Sequence, residues 1–161
     1  PSGVDKGQVQ PQDLLTIGAS GEVLAGKGKA SAETAVHLAA LRQGMGAVLH
    51  SHSVFGTILS LREEQAGRIV WQGYEMQKGI AGNQSHEGQL CLPVLPNSQD
   101  MEAVAAKVQT LLAQDSTLSG VLLAGHGLYA WGRTLGEAAR HLEIFEFLLE
   151  VRYRTLLLER I

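Results

Sequence analysis

Two histidines one residue apart close an apolar run, Gly46-Ala47-Val48-Leu49-His50-Ser51-His52. The run reads as a strand, and in an extended chain residues i and i+2 point to the same face. Both imidazoles then converge on one point beside a sheet. This constrains the fold, because an unpartnered polar ring at the end of an apolar strand is costly to bury. Two neutral imidazoles converging in this way suit a divalent metal. A second apolar run, Val121-Leu122-Leu123-Ala124-Gly125-His126-Gly127, carries a third histidine, and the strand that contains it is expected to bring it near the first two. A histidine between two glycines is equally at home as a plain turn residue. Three imidazoles with one open position make a catalytic site rather than a closed structural one.

Around these two runs the pattern alternates strand and helix. Short strands are expected at 13–17 and 21–24, turning at Ala19-Ser20-Gly21, followed by a helix over 32–43 that Ser31 caps. After the histidine strand come a helix over 53–62, a strand at 68–71, an ambiguous stretch at 74–80 and a strand at 89–95 ended by Pro96. A helix over 101–114 follows the capping residues of 97–100. Thr134-Leu135-Gly136-Glu137 is a capping box that opens a long amphipathic helix through Leu142, Phe145, Leu149 and Leu156. With 161 residues, no linker and no internal repeat, the reading is one α/β domain.

Composition removes several classes of function. Thirteen basic and sixteen acidic residues give a net charge of −3 with no basic run, which argues against nucleic acid as a partner. No apolar stretch reaches the eighteen or so residues of a membrane span, so no membrane is expected either. The single cysteine, Cys91, cannot form an internal disulfide, which favours a reducing, cytoplasmic setting.

Carboxylates supply the proton chemistry that a metal alone cannot. Glu33 lies in the first turn of its helix, where the helix dipole favours an anion with or without a catalytic role. Glu75 stands among neutral and aromatic residues in Gly73-Tyr74-Glu75-Met76-Gln77, and reads either as a partly desolvated carboxylate with a pKa raised toward acid/base duty or as a plain exposed surface glutamate. Ser2-Gly3 offers a hydroxyl and backbone N–H groups to an anion, although a Ser-Gly pair is more often a plain turn. His37 and His141, on helices, read as surface or satisfied structural residues, and His86, beside Glu87, as a solvated loop residue ahead of a substrate contact.

Six segments occur in order: Pro1-Ser2-Gly3-Val4-Asp5-Lys6-Gly7, Ser31-Ala32-Glu33-Thr34, His50-Ser51-His52-Ser53, Gly73-Tyr74-Glu75-Met76-Gln77-Lys78-Gly79, Pro96-Asn97-Ser98-Gln99-Asp100 and Gly125-His126-Gly127-Leu128-Tyr129-Ala130-Trp131-Gly132. Together they resemble the class II aldolase/adducin family over essentially the whole chain. The Gly-Tyr-Glu-Met and Pro-Asn-Ser-Gln-Asp segments look specific to a dehydratase branch.

The resemblance implies a three-layer α/β/α sandwich around a mostly antiparallel sheet, in a ring of four subunits with active sites at the interfaces. Tyr129, Trp131 and Tyr153 are then candidates to reach a neighbour. It implies one zinc ion per subunit held by His50, His52 and His126, an acid/base at Glu75, and a phosphate loop at Ser2 and Gly3. The implied substrate is a small sugar phosphate, a ketopentose 1-phosphate carrying a methylthio group, dehydrated in methionine salvage. In the family's sugar-phosphate aldolases and epimerases, of the L-fuculose or L-ribulose phosphate type, the residue at Glu33 takes the acid/base role instead. A non-catalytic, adducin-like module would have a degraded metal site, whereas all three histidines are present. The family also has a helix and a strand, with a Ser-Gly-Asn loop, ahead of the segment matching Pro1-Ser2-Gly3. The expectation is therefore a single domain over 1–161 without that helix and strand.

Overall fold

In the computed structural model, which describes residues 1–159, strands β1 (Thr16–Ile17) and β2 (Val23–Ala25) form a small antiparallel hairpin. Then come α1 (Thr34–Leu41), β3 (Ala47–Ser51), α2 (Val54–Glu63), β4 (Arg68–Trp71), a 3₁₀ turn over Glu75–Gly79 and β5 (Leu90–Leu95). The chain continues through α3 (Met101–Gln114), β6 (Gly120–Leu123), β7 (Gly127–Gly132) and α4 (Leu135–Leu158). The main sheet has the order β3-β7-β6-β5-β4, and every neighbouring pair is antiparallel except β5 with β6.

Strand alternation builds three layers. On β6 and β7, Val121, Leu123, Tyr129 and Trp131 face α1 and α3, meeting Val36, Ala39, Val104 and Val108. Leu122, Leu128 and Ala130 face the other way, onto Leu59 of α2 and Phe145, Leu148 and Leu149 of α4. Both faces of the central strands are therefore buried, and each large apolar side chain contributes about 1.5–3 kcal/mol on leaving water. The expected three-layer sandwich is the fold observed.

Helix starts follow the sequence closely. Ser53 accepts from Gly56 N at 3.0 Å, Asp100 from Ala103 N at 3.1 Å and Thr134 from Glu137 N at 3.1 Å. The Ser31 cap is a correction. Its hydroxyl accepts from Glu33 N at 3.3 Å, only two residues on, and its carbonyl from Thr34 N, so a tight turn precedes the helix. The helix begins at Thr34, after Glu33, and ends at Leu41 rather than 43. The first hairpin is also shorter than expected, because Asp13 belongs to a 3₁₀ turn with Pro11.

Candidate metal centre

β3 ends at Ser51, and its register sets His50 opposite Tyr129 and Ser51 opposite Leu128. Val48 and His50 consequently face the α1 layer, while the Ser51 hydroxyl on the reverse face donates to Glu146 of α4. His52 lies one residue beyond the strand, yet its Nε2 comes within 2.9 Å of His50 Nε2. His126 is not within a strand, contrary to expectation: β6 stops at Leu123, and His126 occupies the tight turn into β7. That turn points the ring back toward β3, with ring centroids 5.1 Å from His50 and 5.0 Å from His52.

Glu33 completes the group. Its Oε1 lies 3.0 Å from His126 Nε2 and 3.6 Å from His50 Nε2. One donor atom from each of Glu33, His50, His52 and His126 lies within 4.8 Å of the others. Burial pushes Glu33's pKa up, but the neighbouring His50 and His126 outweigh it and hold the carboxyl below its usual value. For His50 burial dominates, lowering its pKa to about 4, so the ring is neutral at physiological pH. Its Nδ1 donates to Leu128 O at 2.8 Å, which fixes the tautomer and leaves Nε2 a bare lone pair aimed at the cluster.

This donor set fits a cation. His50 Nε2 and His52 Nε2, 2.9 Å apart, are spaced as two ligands of one cation would be, and a carboxylate beside them supplies charge balance. Tyr129 lies flat on His50, centroids 3.9 Å apart and planes 15° apart. Gly127 is required by close approach. A Cβ there would meet Ser51 O, His52 Cδ2 at 2.8 Å and His50 Cε1 at 3.0 Å. Neither residue stands out as part of the site in the sequence, although the Gly-His-Gly pattern holds the signal for Gly127.

Two clefts flank the group. One, of about 710 Å³, is lined by His50, His52, Glu33, Ser31, Thr34 and Leu38. The other, of about 310 Å³, lies between Glu33 and His126 on one side and Asn97 and Gln99 on the other, so the Pro-Asn-Ser-Gln-Asp segment borders the site. Ser2 lines a third cleft, of about 350 Å³, which shares Ser31, Thr34 and Leu38 with the first and adds Lys29 and Arg42. Gly3 follows in a left-handed turn, φ 73°.

Glu75 is elsewhere. β3 and β4 are the two edge strands, four strand spacings or about 19 Å apart. Glu75 follows β4 at the end of the sheet where β5 begins, since Trp71 pairs with Leu90. The histidines sit where β5 and β6 finish, Ala124 N donating to Leu95 O there. Nor is Glu75 desolvated. Its side chain is 72% exposed and paired with Lys78 Nζ at 2.5 Å and His86 Nδ1 at 3.4 Å. The Lys78 bond lowers its pKa instead of raising it, because the neutral residues around it in sequence do not cover it in space. Tyr129 and Trp131 are also corrected: both are buried in their own chain, and Trp131 Nε1 donates to Leu118 O at 2.5 Å. His141 is a satisfied buried residue, bonded to Trp131 O and Ala81 N, while His37 lines the larger cleft; burial lowers the pKa of both.

The profile of the class II aldolase and adducin N-terminal domain matches residues 1–153. The chain belongs to the class II aldolase and adducin family. Within it, the methylthioribulose-1-phosphate dehydratase of Hahella chejuensis is 42% identical over 150 residues, covering 92% of this chain and 72% of the relative. The enzyme of the same name from Pseudomonas aeruginosa is 44% identical over 161 residues, 99% of this chain and 78% of the relative. Among solved family structures, YgbL of Escherichia coli superposes with a TM-score of 0.78 at 29% identity, covering 95% of this chain and 70% of that one. L-fuculose-1-phosphate aldolase of Thermus thermophilus gives 0.67 at 28% identity, covering 99% and 75%.

Proposed function

We propose that this chain is a zinc-dependent hydro-lyase that dehydrates 5-methylthioribulose 1-phosphate to the 2,3-diketo-5-methylthiopentyl 1-phosphate, a step of methionine salvage. The observation that carries this reading is the convergence of His50, His52, His126 and Glu33, in a chain 40–44% identical to dehydratases of that name. His50, His52 and His126 would hold one zinc ion per subunit. When bound, zinc supplies Lewis acidity that polarises the substrate carbonyl and favours loss of the neighbouring C3 proton.

The remaining steps belong to side chains. Ser2 and Gly3, with Lys29 and Arg42 beside them, receive the phosphate. Glu75 begins ionised because Lys78 pairs with it, so it acts first as the base that takes the C3 proton. It then returns that proton to the C4 hydroxyl, which departs as water, and the enol left behind becomes the diketone. One carboxylate thus performs both transfers and ends as it began. Since Glu75 lies at the opposite end and edge of the sheet from the histidines of its own chain, it serves a neighbour in a homotetramer. Exposed apolar residues on α2 and near the end of α4, Val54, Ile58, Leu61 and Leu157, support association of copies. Cys91, a free thiol, fits a cytoplasmic setting, and among the described residues no helix is long and apolar enough to cross a membrane.

A second reading has one observation in its favour: Glu33, not Glu75, is the carboxylate at the cluster. It would make the chain an aldolase or epimerase that uses Glu33 as its acid/base. Incubation of the purified protein with 5-methylthioribulose 1-phosphate, followed for diketone with and without a chelator, separates the two. Chelator-sensitive diketone formation supports the dehydratase. Carbon–carbon cleavage of L-fuculose 1-phosphate without any dehydration overturns it.

A further inference from the structure

His50 and His126 are oriented by different means. The His50 ring is tied from behind by Leu128 O, whereas His126 Nδ1 is buried with no hydrogen-bond partner among the described residues. Apart from the contact of its Nε2 with Glu33, the direction of the His126 ring therefore depends on the backbone turn that carries it. In that turn His126 N donates to Leu123 O at 3.0 Å, and Gly125 occupies the third position with φ +64°. A turn of this kind uses the N–H of its fourth residue and leaves that of its third unmatched.

The missing partner is Ser60. It is 0% exposed, its Oγ accepts from Gly125 N at 3.0 Å, and its hydroxyl proton goes to Thr57 O at 3.0 Å. Leu61, the next residue, packs against Gly125 so closely that a Cβ there would lie 3.1 Å from Leu61 Cδ2. Ser60 belongs to α2, and α2 is capped by Ser53, the residue after His52, with Thr57 Oγ1 bonded back to Ser53 O at 2.8 Å. The seven residue steps from Ser53 to Ser60 span about 10 Å of helix.

We propose that α2 is a strut between the two ligand-bearing segments, and that Ser60 is a positioning residue that sets His126 relative to His50 and His52. The inference rests on the metal reading above. Replacing Ser60 by Ala leaves the buried Gly125 N–H unpaired and lets the turn relax, while every ligand remains. Perturbing an interaction that orients a ligand typically weakens metal binding about 10- to 100-fold.

The test is competition of the purified chain against a chromophoric chelator for Zn²⁺, together with the visible absorption of the Co²⁺-loaded protein. Ser60→Ala is expected to keep its circular dichroism, bind Zn²⁺ about 10-fold or more weakly and alter the Co²⁺ bands. Ser60→Thr, which keeps a hydroxyl, is expected to recover most of the affinity. A residue needed only for packing would lower the melting temperature and leave both metal readouts unchanged, which overturns the proposal. Should Ser60→Ala fail to fold, Ser60→Cys keeps the volume with a weaker acceptor, and wild-type Zn²⁺ affinity in that variant overturns it equally. His126→Gln is the control for the underlying reading: if it binds Zn²⁺ as tightly as wild type, the metal assignment itself is wrong.

Discussion

At one end of the sheet, His50, His52, His126 and Glu33 bring donor atoms within 4.8 Å of one another through strand register and a buried turn of a single chain. At the other end, Glu75 rides a 3₁₀ turn whose base is buried and whose tip is in solvent. Gln77 within that turn is 0% exposed and donates to Gly88 O at 2.7 Å. Arg140 donates to Gly79 O at 3.0 Å, and His141 Nε2 accepts from Ala81 N at 3.0 Å. The turn is a rigid mount that leaves Glu75, Met76 and Lys78 exposed on its outer side. The contrast teaches that one copy brings the proposed metal ligands together by itself, while the proton chemistry proposed for Glu75 would draw on a second copy.

The most severe test of this contrast is Glu75→Gln. Turnover should fall by about 10²–10⁴-fold, the range of a lost acid/base, with zinc content and melting temperature unchanged. Mixed with a second inactive variant, His50→Ala, it should regain part of the activity, because some interfaces then pair an intact carboxylate with an intact histidine set. Unrestored activity in refolded mixtures would place both functions in one chain.

Next in size is His50→Ala alone. Zinc affinity by chelator competition should drop by more than about 100-fold, beyond the loss expected from a merely supporting residue. Gly127→Ala should be milder and should act on the metal end alone. The added methyl meets Ser51 O and both histidine rings, so about 1–3 kcal/mol of stability should be lost in urea melts, with weaker zinc binding.

The smallest effect is the pH dependence of the metal-free protein. His37, His50 and His141 all have pKa values lowered by burial, His50 to about 4. Between their unfolded value near 6.5 and their folded values the unfolded chain binds more protons, so stability rises with pH there. The melting temperature should fall as pH drops from about 6.5 toward 4, and His141→Gln should flatten part of that slope.

Much of the fold is legible in the sequence because local signals and tertiary packing agree. α3 and β4 coincide with the segments read from capping and apolar pattern, and Ser53 caps α2 where the histidine strand ends. The departures occur where a contact distant in sequence decides. Glu33 joins the cluster through His126, 93 residues away, which no window around Ser31 can reveal. Glu75 is flanked in sequence by Tyr74 and Met76, yet Tyr74 turns into the core and Met76 is 45% exposed, so neither covers the carboxylate. Leu122 and Leu123 suggest a strand that runs on through His126. Gly125, free to take a positive φ, makes the turn in which the histidine sits instead.

The pairing of His50 with Tyr129 has a consequence for the edge of the sheet. A one-residue slip of β3 along β7 would turn His50 toward α4 and away from Glu33 and His126. Only the observed register brings the full set of donors together, so the candidate metal centre and the alignment of this edge strand stand or fall as one.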